Sequence, residues 1–270
     1  MTRYSICNEG TNLSYERRGD GPVVVLVQGL GLPGDLWLNL PGGLVKSGFT
    51  VVTPDNRGTG QSDAPTPPYT MRQLAGDLAA VIRDVDRGPA VVVGISFGGM
   101  VAQHLALRHA SLVRGLVLAA TTCGPPVGRP PSLRVFWTLV RSFNYAPETG
   151  RRLHELMLHP HTLRSGGPRI FEEWERAVTQ RPTGWRGLWG QVSAATLHST
   201  GFSLHDIHCP TVVITGEDDR VVPPVNSRIL ADRIPGAELV MVSRAGHAFP
   251  LENPAALPDA IRRVQQRVAG

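Results

Sequence analysis

The stretch from Pro89 to Ala110, PAVVVGISFGGMVAQHLALRHA, constrains the fold of this chain more than any other. It opens with an apolar run at 90–93, the pattern of a strand that is buried on both faces. The motif GISFG follows at 94–98, and apolar residues then recur at helical spacing. A G-x-S-x-G motif between a buried strand and a helix is typical of a nucleophile elbow, a sharp turn that lifts the serine out of a sheet. We therefore predict that Ser96 is a nucleophile in the turn at the carboxyl end of a strand in a parallel sheet.

Buried-strand patterns alternate with helical patterns along most of the chain. Further apolar runs predict strands at 22–27, 50–53, 116–120, 210–215 and 238–242. Apolar residues at helical spacing predict helices at 37–45, 70–86, 225–233 and 255–268. Two alternating segments within residues 3–18 flank an Asn-Glu-Gly turn, which predicts an antiparallel hairpin at a sheet edge. The whole pattern predicts an α/β fold with a mostly parallel, doubly wound sheet.

The segment from about residue 124 to 205 contains no buried-strand pattern. Helical patterns occur instead, around 133–143, 150–158, 170–180 and 184–198. We therefore predict a helical cap, 124–205, inserted between two parts of an α/β core, 1–123 and 206–270. We also expect cap aromatics to line an apolar acyl pocket, although packing against the core explains any one of them equally well. The candidates are Phe136, Trp137, Trp185 and Trp189.

Composition argues against several classes of function. No apolar run approaches the roughly 18 residues of a membrane span, and the N-terminus lacks the apolar segment of a signal peptide. Cys7, Cys123 and Cys209 are far apart and odd in number, which indicates reduced thiols and a cytoplasmic protein. The net charge of +5 comes from singly scattered arginines, whereas a nucleic-acid binder usually has a basic run on one element. We expect no membrane or nucleic-acid partner, and a monomer or homodimer that acts on a small molecule.

Two further residues complete a candidate catalytic triad with Ser96. Asp219 and His247 each follow a predicted buried strand directly, as Ser96 does. Residues at the C-terminal ends of neighbouring parallel strands share one crevice, so the three side chains can meet there. A serine needs a base to take its proton, and the base needs a carboxylate to orient it. The order serine, acid, histidine is the one that accompanies the elbow motif.

The acid must be chosen from two adjacent aspartates. We favour Asp219 over Asp218 because it is the third residue after Gly216 and precedes the Val-Pro pair at 222–223 at a fixed interval. Some enzymes of this design place the acid after the preceding strand, but that position here reads Thr-Thr-Cys at 121–123, without a carboxylate.

Acyl transfer also needs hydrogen-bond donors aimed at the oxyanion. We predict that two backbone N–H groups supply them, those of Leu30 and Phe97. Leu30 lies in the loop after the strand predicted at 22–27, and Phe97 directly follows the nucleophile.

Four motifs resemble the α/β-hydrolase superfamily: GISFGGMVAQHLALRHASLVRGLVLAATT, DNRGTGQSD, GEDDRVVPP and AGHAFPLENP. Within it, they are most similar to the branch of enol-lactonases and small carboxylesterases. The resemblance covers nearly the whole chain and implies a serine hydrolase that cleaves a carboxylic ester or lactone through an acyl-enzyme, without metal or cofactor. One departure is that Gln28-Gly29 replaces the family's usual His-Gly. Glutamine can still hold the loop by hydrogen bonding, and Gln28 becomes a candidate substrate-binding residue.

Several alternatives stay open on the sequence. The same site accepts thioesters, including carrier-bound ones, and it serves carbon–carbon bond hydrolysis, perhydrolysis or a non-hydrolytic step in a biosynthetic pathway. A hydrolase-like binding protein with slow turnover is a further class. The glycines at 29–34, with Asp55 after the next strand, match a dinucleotide fingerprint but leave the triad unexplained. The scattered histidines have no recurring zinc-ligand spacing, so we expect no metal site.

Overall fold

The computed structural model describes residues 2–142, 155–165, 172, 176, 178 and 183–269. Its strands are β1 Thr2–Asn8, β2 Thr11–Arg18, β3 Val23–Val27, β4 Thr50–Pro54, β5 Ala90–Ile95, β6 Val113–Ala119, β7 Thr211–Gly216 and β8 Glu238–Val242. They form one sheet in the order β1-β2-β4-β3-β5-β6-β7-β8. The hairpin of β1 and β2 lies at one edge and pairs antiparallel with β4, and all remaining neighbours are parallel. The predicted α/β fold class is confirmed.

Helices cover both faces of this sheet. In the described part of the chain the α-helices are α1 Leu40–Lys46, α2 Met71–Val85, α3 Phe97–Arg108, α4 Leu133–Ser142, α5 Pro160–Arg164, α6 Trp185–Thr196, α7 Val225–Arg233, α8 Phe249–Glu252 and α9 Ala256–Ala269. One apolar core joins the sheet to α2, α3 and α7, and a second joins its other face to α1 and α9. Strands β3, β4 and β7 are buried throughout because both of their faces pack on helices.

Two elements begin three residues away from the position predicted from the sequence. The helix predicted from Trp37 begins at Leu40, because Leu38 has a φ of 50° and ends a separate 3-10 turn, Gly34–Trp37. Strand β6 begins at Val113, before its apolar run, and an irregularity in its pairing with β5 accommodates the first residues.

The described residues between β6 and β7 form helices and loops but no strand. The helices predicted around 133–143 and 184–198 are present as α4 and α6. The patterns around 150–158 and 170–180 lie mostly outside the described residues, as does the side chain of Phe136. Among the helices that the structure describes, none is long and apolar enough to cross a membrane.

Candidate active site

Ser96 occupies a sharp turn between β5 and α3. Its backbone has φ 53° and ψ −117°, a strained conformation for a residue with a side chain. Its N–H donates to the carbonyl of Ala119 at 2.8 Å, and its own carbonyl accepts from the Thr121 hydroxyl at 2.7 Å. Glycine is required on either side, because a Cβ at Gly94 or Gly98 would collide with neighbouring backbone. The turn presents the serine, partly exposed, at the N-terminus of α3.

Asp219 is held rigidly at the C-terminal end of β7. Its Oδ1 accepts the backbone N–H groups of Val221 and Val222 at 2.9 and 2.8 Å. Its Oδ2 lies 2.8 Å from Nδ1 of His247, and the carboxylate is fully buried. Because one oxygen is saturated by peptide donors, the other is aimed at the imidazole.

The adjacent Asp218 points elsewhere. Its side chain is 49% exposed, and its Oδ2 lies 3.3 Å from Nε2 of His159, at the start of α5. Of the two aspartates, the structure thus brings Asp219 and not Asp218 to His247.

His247 follows β8 and is almost completely buried. Donation from its Nδ1–H to Asp219 leaves Nε2 as the basic nitrogen of the neutral ring. Strands β5, β6, β7 and β8 are consecutive in the sheet. Ser96, Asp219 and His247 follow the carboxyl ends of β5, β7 and β8, so all three lie at the same end of these parallel strands. This arrangement has the parts that proton transfer from a serine to a histidine requires.

The loop after β3 lies beside Ser96. A Cβ built on Gly29 would lie 3.8 Å from the Cβ of Ser96. The buried side chain of Gln28 accepts the Gly29 N–H through Oε1 at 3.0 Å, so it holds its own loop. Within the described part of the chain, no group accepts the N–H of Leu30 or Phe97. The two N–H groups predicted to bind an oxyanion therefore have no internal acceptor among the described residues.

The residues of the dinucleotide alternative are used differently. The carboxylate of Asp55 accepts the N–H of Gly34 at 2.7 Å and that of Gln61 at 3.0 Å, and it pairs with Arg3 at 2.8 Å. A carboxylate with three internal donors is not presented to a ribose. The glycine loop also leads into a 3-10 turn, whereas a dinucleotide fold requires a helix N-terminus there. Among the described residues, no cluster of three potential metal ligands occurs.

The cap tryptophans lie at the surface. Trp137, Trp185 and Trp189 are 56%, 64% and 63% exposed. Helix α6 turns a different face toward the core, since its buried residues include Gly187 and Gln191. The described residues therefore give no support to an acyl pocket lined by these rings.

Sequence reasoning missed Glu252, the last residue of α8. Its Oε2 accepts the N–H of Gly246 at 2.6 Å, and its Oε1 accepts the His159 N–H at 2.8 Å and the Thr162 hydroxyl at 2.6 Å. The carboxylate thus fastens the loop of His247 to α5. Its place in the motif AGHAFPLENP is visible in the sequence, but its three donors are not.

A pair of largely buried histidines was also missed. His104 on α3 lies 3.1 Å from His198, measured from Nε2 to Nδ1, and Nε2 of His198 lies 2.9 Å from the carbonyl of Thr122. The carbonyl requires a proton on Nε2 of His198, so Nδ1 accepts from His104 while both rings are neutral. Burial lowers the pKa of each histidine to about 4.

We expect this pair to destabilise the protein as the pH falls from about 6.5 toward 5. Unfolded histidines take up protons near pH 6.5, whereas the folded pair resists protonation down to about pH 4. Each proton bound preferentially by the unfolded chain lowers the free energy of unfolding by about 1.4 kcal/mol per pH unit. Urea unfolding of wild type and the double variant His104→Gln, His198→Gln between pH 5 and 7 measures this. Equal pH slopes for the two proteins would contradict the assignment.

The chain is similar to known hydrolases over most of its length. A family model described as alpha/beta hydrolase fold matches residues 22–254. RutD of Pseudomonas syringae pv. syringae (strain B728a), to which a carbamate hydrolase activity is ascribed, is 30% identical over 91% of this chain and 94% of its own. A poly(3-hydroxyalkanoate) depolymerase of Ectopseudomonas oleovorans is 32% identical over 80% of this chain and 75% of its own. The structure of a malate-bound thermophilic esterase from Thermogutta terrifontis superposes with a TM-score of 0.83, at 27% identity and 99% coverage of both chains.

Proposed function

The chain belongs to the alpha/beta hydrolase fold family, and from this premise we propose that it is a serine hydrolase that cleaves a carboxylic ester or lactone. The observation that carries the proposal is the buried pair of Asp219 and His247 at the sheet edge that also presents Ser96 in a strained turn. An ester substrate is supported by the similarity to an esterase and to a depolymerase.

The reaction proceeds in two halves. His247 takes the proton of the Ser96 hydroxyl through Nε2, and the serine oxygen attacks the carbonyl carbon. The backbone N–H groups of Leu30 and Phe97 stabilise the resulting oxyanion. His247 then protonates the leaving alcohol, and an acyl-enzyme forms. Water deprotonated by His247 attacks this ester in turn, which releases the acid and restores the serine hydroxyl.

We propose that residues 124–205 act as a cap over this site. Contacts with the loop of His247 support this role, because the N–H of Ala248 donates to the carbonyl of Met157 at 2.8 Å.

Carbamate hydrolysis is a second candidate. It is favoured by the similarity to RutD over nearly the full length of both proteins. A carbamate carbonyl is attacked by the same serine and stabilised by the same N–H groups, and the nitrogen attached to that carbonyl is what distinguishes it from an ester.

The proposal is tested with p-nitrophenyl esters from acetate to decanoate, together with fluorophosphonate labelling followed by intact mass. We expect turnover of at least one ester and a single covalent adduct on the wild type. A matched p-nitrophenyl carbamate distinguishes the second candidate. Folded protein that neither turns over nor reacts with the fluorophosphonate would overturn the serine-hydrolase assignment.

A further inference from the structure

The loop after β3 has three successive N–H groups, and two of them are occupied by glutamine side chains. Gln28 accepts the N–H of Gly29, and Oε1 of Gln191 accepts the N–H of Gly31 at 2.8 Å. Leu30 lies between them, and its N–H has no acceptor in the part of the chain that the structure describes. The two bonds thus select which N–H of the loop is left for a substrate.

Both backbone polar groups of Gly31, its N–H and its carbonyl, are hydrogen-bonded to side chains of the cap. Its carbonyl accepts the hydroxyl of Thr183 at 2.6 Å, while its N–H donates to Gln191. Its φ of +69° is a left-handed conformation that favours glycine. A Cβ at this position would lie 3.5 Å from Leu188, so α6 packs directly against the loop.

The amide of Gln191 is itself fixed in orientation. The residue is completely buried, and its Nε2 donates to the carbonyl of Arg57 at 3.0 Å. The side chain of Arg57 forms a buried bidentate pair with Asp77, at 2.5 and 2.7 Å. Because one end of the amide faces a carbonyl on this rigid support, the oxygen must face Gly31.

We infer that Gln191 and Thr183 are positioning residues that set the oxyanion hole from the cap. The inference rests on the proposed function, since it concerns the Leu30 N–H that stabilises the oxyanion there. An oxyanion donor acts only within a narrow distance of the developing charge, so a small rotation of the loop removes its benefit. Docking of the cap and stabilisation of the transition state are therefore coupled through Gly31.

The inference is tested with Gln191→Met, which keeps the volume of the side chain and removes both hydrogen bonds. We expect kcat to fall about 10- to 100-fold while KM changes less than about 3-fold, because the lost interaction acts in the transition state. Affinity for a trifluoromethyl ketone, which forms a tetrahedral oxyanion on the serine, should fall by the same factor as kcat/KM. A merely structural role would lower Tm and leave these constants unchanged for the folded protein.

Ser193→Ala is the matched control on the same helix. The Ser193 hydroxyl accepts the N–H of Tyr69 at 3.0 Å and so helps to dock α6 without contacting the loop. We expect it to lower Tm and to leave kcat and inhibitor affinity near wild type. Thr183→Val, which removes the other bond to Gly31, should lower kcat about 3- to 10-fold, and it takes the place of Gln191→Met if that variant does not fold.

If folded Gln191→Met and folded Thr183→Val both had the kcat and the inhibitor affinity of the wild type, the inference would be overturned. That failure is distinct from failure of the proposed function, in which the wild type itself would show neither ester turnover nor fluorophosphonate labelling.

Discussion

Replacing Ser96 with alanine is expected to lower kcat for ester hydrolysis by at least about 10⁴-fold, since the variant lacks the hydroxyl that we propose forms the acyl-enzyme. The change keeps the Cβ. It also keeps the two hydrogen bonds that hold the turn, because these join the backbone N–H and carbonyl of residue 96 to the carbonyl of Ala119 and the hydroxyl of Thr121. Stability should therefore change little. The measurement is steady-state turnover of the best p-nitrophenyl ester, with intact mass after fluorophosphonate treatment and Tm of each protein.

A buried serine in the loop after β4 serves as the control for this variant. The hydroxyl of Ser62 donates to the carbonyl of Asp55 at 2.6 Å. Ser62→Ala should retain both turnover per folded molecule and the covalent adduct, even if its Tm is lower. Persistent labelling or turnover of Ser96→Ala would show that another residue is the nucleophile.

The second large effect is expected from Asp219→Asn, which should lower kcat by about 10³- to 10⁴-fold. The N–H groups of Val221 and Val222 require an acceptor, so the amide oxygen of the asparagine will face them. Its NH₂ group then faces Nδ1 of His247. A ring that must accept at Nδ1 carries its proton on Nε2 and cannot take the proton of the serine.

Asp218→Asn is the matched control, one residue away and of identical chemistry. Its carboxylate is half exposed and lies near His159, not His247. We therefore expect kcat to stay within about 3-fold of wild type, as for other surface side chains that do not contact the proposed triad. The pH profile of kcat/KM for each variant separates a changed base from a changed fold. If kcat fell further in Asp218→Asn than in Asp219→Asn, the acid would be Asp218 and our assignment of Asp219 would be wrong.

The fold class could be predicted because its signals are local. Apolar runs such as 90–93 and 210–215 are short, nearly continuous and bounded by turn residues, and their alternation with helices leaves few topologies. The prediction erred where one backbone conformation overrides a pattern, as at Leu38, whose φ of 50° separates a 3-10 turn from α1. Nothing in its residue type indicates a positive φ.

The candidate site could be predicted to the extent that each residue directly follows a strand. Ser96, Asp219 and His247 share this position, and a parallel sheet brings its C-terminal strand ends to one edge. No comparable rule predicts where the aromatic side chains of the cap lie. Trp185 and Trp189 are apolar, yet they are exposed, and the buried face of α6 carries glycines. This face packs so closely that a Cβ at Gly187 would collide with Gly58, and a Cβ at Gly190 would collide with the ring of Tyr69.

Sequence by itself determined the α/β class, the turn that presents Ser96, and the order of serine, acid and histidine, because each is encoded in a short window whose spacing limits the backbone. Only the tertiary structure decided which side chains hold the loops around the candidate site in place. Gln191 reaches Gly31 across 160 residues of sequence, and Glu252 joins the loop of His247 to α5 across 93. Such contacts depend on how a whole helix packs, and a hydrogen bond between distant segments leaves no periodicity in either one.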